Sequence, residues 1–164
     1  MDRQQIGVKL TVDGLGLKFK IDTFTDRLIM QKAIYLAQAK GVNLGYFYQW
    51  YLHGPYSPSL TRDEFAIAMD ISADMDDSRG WKLDDVSLQR LEGIRAIFSE
   101  PDRDKLARKL ELLASVNFLI DRKQASKADI GQITATLKKY NKPFSEEDVQ
   151  NALGELQNYG LLAA

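Results

Sequence analysis

The stretch "TDRLIMQKAIYLAQAKG", Thr25 to Gly41, decides the fold. It is rich in helix formers, carries an Asp in its first turn and ends on Lys-Gly, a helix stop. At 100° per residue Ile29, Met30, Ala33, Ile34, Leu36 and Ala37 cover one broad arc, which Leu28 and Tyr35 extend beyond Lys32. Only Arg27, Gln31 and Gln38 form a polar wedge, so the segment reads as the central, most buried helix of the domain. Lys32 then falls inside the apolar arc. An unpaired ammonium is costly there, which predicts burial against a carboxylate, with Asp63 as first choice, or against backbone carbonyls near Gly54-Pro55.

Upstream, two readings are open. Val8, Leu10, Val12 and Leu17, Phe19, Ile21 alternate as two strands about Asp13-Gly14, while Ile6 and Leu10 start a helical stripe that Gly14 would cap. The helix is preferred, followed by a short extended piece. Downstream, "YFYQWYL", Tyr46 to Leu52, has the aromatic content of an extended segment and runs into a turn at Gly54-Pro55. Ser57-Pro58 then reads as N-cap and N1 proline of a helix through Met69. Ser72 to Gly80 is a polar loop. Helices are expected over Val86 to Ser99 and, after the Pro101 break, Asp102 to Ile120. Ser126-x-x-Asp129 is echoed nineteen residues later by Ser145-x-x-Asp148, each pair leading an apolar stripe, which predicts two capped C-terminal helices. The expectation is a mainly α, compact, single-domain bundle (1–164) around a central buried helix, with short extended segments.

The composition excludes several chemistries. The chain has 22 Lys and Arg against 23 Asp and Glu, so no global field draws it to nucleic acid or anionic lipid. It has no cysteine, hence no disulfide, thiol nucleophile or thiolate metal site. "MDRQQIGVKL" lacks the apolar core of a signal peptide, and no window is apolar enough to span a bilayer; a cytoplasmic protein is expected. The single histidine, His53, has no nucleophile and acid in any recognisable arrangement, and reads as a turn histidine bonded to backbone. No metal-ligand spacing and no phosphate-binding loop occur, so no metal, cofactor or catalytic set is expected. The C-terminal stretch resembles the last helix of a winged helix-turn-helix. From Ser145 to Ala164, however, it carries four acids and no Lys or Arg, and phosphates would repel it. Packing with a Gly160 cap and Leu161 folded back is favoured. Asn117 sits in the Leu106, Leu110, Leu113, Ile120 stripe, a second buried polar signal that a network shared with Lys32 would satisfy.

"RLIMQKAIYLAQ" (27–38), Gly45-Tyr46 and "WYLHGPYSPSLTRD" (50–63) together resemble the Panacea domain family, the antitoxin-associated domain found beside many unrelated toxins. The shared elements are Gln31, Lys32, Tyr35 and Leu36 on the helix, and an aromatic segment running into Gly-Pro-Tyr-Ser-Pro-x-Leu, Gly54 to Leu60. The resemblance implies an antitoxin-like, non-enzymatic binder of a toxin-like partner protein encoded nearby; it names neither partner nor oligomeric state. Trp50, Tyr51, His53, Tyr56 and Arg62 are the expected partner-binding residues, since such side chains give contact area at low entropic cost. Gln31, Lys32, Asp63 and Asn117 form the expected structural polar network. In the alternative, Trp50 and Tyr51 point inward and only Tyr56 is exposed. The other functional class is a nucleic-acid-associated transcriptional or defence regulator, which would need Lys18, Lys20, Lys123, Lys127, Lys138 and Lys139 on one face.

Overall fold

Thr23 opens the central helix α2 (Phe24–Ala39): its hydroxyl accepts the Asp26 N–H while the Asp26 carboxylate takes the Thr23 N–H, a complete capping box. At the other end Gly41 takes φ +103°, and the Val42 N–H folds back on the Ala37 carbonyl at 3.0 Å. Ile29 to Ala37 are all buried, as the near-continuous apolar arc requires. Gln31, on the polar wedge, is buried with them because the chain around Ser57 covers that side of the helix.

The computed structural model describes residues 1–163. The N-terminal twenty residues resolve in favour of the helix: α1 (Arg3–Gly14) starts on an Asp2/Gln5 capping box and buries Val8, Thr11 and Val12. Ile6 and Leu10 lie at its margins. A segment with neither helix nor strand follows to Asp22. The aromatic segment forms a small antiparallel hairpin of β1 (Gln49–Tyr51) and β2 (Gly54–Tyr56), with Trp50 opposite Pro55. Its turn is Leu52-His53. Gly54-Pro55, expected as the turn, is instead the start of the return strand, and Gly54 supplies the positive φ of +90° that brings the chain back.

Ser57 and Pro58 launch α3 (Pro58–Ser72) as N-cap and N1. Beyond the 73–84 loop come α4 (Asp85–Ile94), a 3-10 turn (Arg95–Phe98), and α5 (Arg103–Asp121) capped by Asp102. The last pair is α6 (Ile130–Lys139) and α7 (Glu146–Asn158). Ser145 caps α7 with a capping box through Asp148. Ser126 does not cap α6; Asp129 does, accepting the Gln132 N–H at 2.9 Å. Gly160 (φ +66°) ends α7, with the Leu161 N–H returning to the Leu156 carbonyl and Leu161 buried. The protein is mainly α and compact. Helix α2 packs on α5, α1 and α3 pack on α2, α7 packs on α5, and α6 packs on α7. No described helix is long and apolar enough to cross a membrane.

Candidate functional site

A two-stranded hairpin cannot satisfy its own outward-facing carbonyls. In this protein side chains from α2, from the end of α5 and from the segment after α6 do so. Lys32 from α2 donates to the Pro55 carbonyl at 2.6 Å, Lys142 to that of Leu52 at 2.6 Å, and Arg122 from the end of α5 to that of Tyr48 at 3.1 Å. Gln38 clasps the backbone of Tyr46 through both its amide atoms, and Gln31 does the same for Ser57. On α5, Glu111, Ser115, Phe118 and Arg122 form one stripe beneath the hairpin. Glu111 holds Lys142 at 2.9 Å, and Phe118 meets the Trp50 ring at 5.7 Å. The Ser115 hydroxyl is buried without a partner among the described residues, where a Cβ on residue 54 would overlap it. Gly54 is thus fixed twice, by backbone conformation and by contact.

Between the hairpin, the first turns of α2 and the start of α3 lies a groove of about 400 Å³. Phe24, Arg27, Leu28, Gln31 and Lys32 line it from α2, Tyr51, Leu52, His53 and Tyr56 from the hairpin, and Thr61 and Phe65 from α3. Its rim is apolar and open to water: Phe24 is 55% exposed, Tyr51 49%, Leu52 83% and Phe65 49%. Gln31 bonds the Thr61 hydroxyl at 2.8 Å, which in turn donates to the Tyr56 phenol at 2.8 Å. Lys32, 2% exposed, forms part of the wall. Desolvation pushes its amine down to about 7; Glu111 pulls it up and Lys142 down.

The expected partner-binding residues divide. Tyr51, His53 and Tyr56 line the groove, and the Tyr51 ring packs at a tilt against Tyr56, 5.1 Å between centroids. Trp50 does not. It points to the core against Phe118 and Tyr140, with the Lys142 ammonium 5.5 Å from its ring. Arg62 is exposed outside the groove. Among the described residues His53 has no backbone hydrogen-bond partner: its Nδ1 lies 3.5 Å from Glu111, and its ring meets Phe24 edge-on at 5.0 Å.

The expected polar network also divides. Gln31 and Lys32 serve the hairpin as described. Asp63 is not the partner of Lys32; it accepts the Tyr46 phenol at 2.5 Å and the Gln5 amide at 3.0 Å. Asn117 joins neither. It accepts from the Tyr35 phenol and donates to the Leu161 carbonyl, both at 2.6 Å, tying α2 to the end of the chain.

Glu111, Lys142 and Ser115 escaped the sequence reading, because only the fold brings 111, 115 and 142 under residues 52–54. Glu64 had a signal: it follows Leu60 by four and precedes Ile67 by three, inside the buried stripe of α3. Among the described residues its carboxyl has no hydrogen-bond partner, and burial raises it to about 8 despite Arg27. Phe65 and Met69 form a second apolar stripe on α3 that the core does not use, a mark of a contact face. Among the described residues no three His, Asp or Glu side chains converge on a metal-sized site. No family model, curated protein or solved structure matches the chain.

Proposed function

We propose that this chain is a non-enzymatic, antitoxin-like binding protein that neutralises or regulates a partner protein, a toxin-like product of a neighbouring gene, by forming a stoichiometric complex. One observation carries the reading. Three elements converge to hold Phe24, Tyr51, Leu52 and Phe65 about half exposed or more around one open groove, at the cost of leaving apolar surface in water. The polar side chains on the walls support it. Gln31, Lys32 and Thr61 are spent on fixing the hairpin and α3, which keeps the aromatic rim in place as a preorganised contact surface. The Gln-Lys-x-x-Tyr-Leu and Gly-Pro-Tyr-Ser-Pro resemblance supplies the kind of partner.

The test is co-expression and pull-down with the neighbouring gene product, combined with melting curves. Tyr51→Ala and Phe65→Ala are expected to weaken capture by about 2 kcal/mol each, with the melting temperature nearly unchanged. Trp50→Ala is expected to cost about 3 kcal/mol of fold stability instead. Wild-type capture by both groove variants would place the binding face elsewhere. A shift of labelled DNA by the pure protein at physiological salt would favour a nucleic-acid regulator.

A further inference from the structure

The charges on the groove walls specify what enters it. Among the described residues, every ionisable liner other than the two tyrosines is basic: Arg27, Lys32 and, when protonated, His53. Lys32 has left water with a single acceptor, the neutral Pro55 carbonyl, and among the described residues it enters no ion pair. The other buried lysine shows the contrast. Lys142 is equally removed from solvent but holds the Glu111 carboxylate at 2.9 Å. Two of the three Lys32 N–H donors are therefore uncommitted, and a buried ammonium in that condition lacks counter-charge. Arg27, on the same wall, donates through Nη1 to the Ile21 carbonyl at 3.0 Å and keeps further donors.

Resting on the docking reading above, we propose that the groove takes an apolar segment of the partner protein bearing an aspartate or glutamate, whose carboxylate becomes the counter-ion of Lys32 while its apolar side chains lie against Phe24, Tyr51 and Phe65. The electrostatics agree. Burial lowers the Lys32 amine to about 7 against the pull of Glu111 and with the push of Lys142, both across the hairpin, while His53 and Arg27 line the same groove. A second carboxylate raises it, so binding draws a proton from solvent at mildly alkaline pH.

Two probes isolate the charge: phenylbutyrate, an apolar body with a carboxylate, and phenylbutanol, the same body without one. Titrated into the full chain at neutral pH, with chemical shifts of groove residues as readout, the acid is expected to bind at least ~10-fold more tightly than the alcohol. Lys32→Met should bring the acid down to the alcohol's affinity, whereas Arg27→Gln, which leaves Lys32 in place, should keep most of the gap. Calorimetry at pH near 8 in buffers of different ionisation enthalpy should show proton uptake with the acid and none with the alcohol; it decides the matter if Lys32→Met does not fold. Equal affinities with no proton uptake overturn the charge assignment alone, since groove binding of both probes would leave the docking reading standing. Lack of saturable binding by the acid, or an acid preference that survives in folded Lys32→Met, also overturns it. Failure of the docking reading is separate: it shows as unchanged partner capture by Tyr51→Ala and Phe65→Ala.

Discussion

Glu64 and Lys32 are buried ionisable side chains on neighbouring helices, and their titrations act on stability in opposite directions. Burial lifts Glu64 from the usual 4.5 to about 8, with Asp63 adding to the lift and Arg27 opposing it. Between those values the folded state holds a proton that the unfolded state has lost, so stability falls as pH rises from about 4.5 to 8. Burial lowers Lys32 from 10.5 to about 7, so there the unfolded state holds more protons and stability rises with pH through that window. Together they place a minimum between pH 7 and 8. Asp26, Asp76, Asp84 and Asp148 are held below the usual 3.8 and lose their contribution only in more acid solution. Glu64→Gln should therefore abolish the decline between about pH 5 and 8, a difference on the order of 3 kcal/mol at the alkaline end, measured by urea unfolding across pH. An unchanged decline would assign it to other groups. The burial of Lys32 was legible because apolar residues flank it on both sides of its arc. Its acceptor was not, since Pro55 offers a backbone atom whose position depends on where the hairpin turns.

Helix ends were mostly legible because capping is local chemistry. Ser57-Pro58, Ser145 with Asp148, and the Gly41 and Gly160 stops all stand where their residue types place them. The exception is informative. Ser126-x-x-Asp129 spells the same box as Ser145-x-x-Asp148, yet the Ser126 N–H is taken by Gln132 Oε1 and its hydroxyl by the Ala128 N–H, which fold 126–129 into a turn before the helix. Asp129, read as the third helical residue, becomes the cap. Asp129→Ala should cost about 1 kcal/mol in urea unfolding, as should Ser145→Ala, and Ser126→Ala only a few tenths. Equal losses at 126 and 129 would mean that α6 begins where the pattern alone puts it. The displaced hairpin turn has a similar origin: Gly-Pro is a strong turn signal, but here its glycine is needed against Ser115 and its proline carbonyl against Lys32.

At the scale of the whole molecule, the all-helical frame followed from apolar periodicity, whereas the groove did not. Its walls come from residues 24–32, 51–56 and 61–65, and which side chains stay exposed depends on how α2, α3 and the hairpin meet. The way the hairpin is held has a consequence for the order of folding. Its own ladder covers only residues 49 to 56, and the donors to its remaining carbonyls stand as far as 90 residues away in sequence, at Lys142. Those bonds cannot form until α2, α5 and the segment after α6 have already docked. The hairpin should consequently assemble after the main kinetic barrier and be the first ordered segment to open. Substitutions at Trp50 should speed unfolding with little change in the folding rate, giving φ-values near 0, while truncation of the buried Ile34 on α2 or Leu110 on α5 should give values of roughly 0.5 or more. In native-state hydrogen exchange, amides of the hairpin should exchange through a smaller opening than those of α2. Equal protection in both would show that hairpin and helices form one cooperative unit.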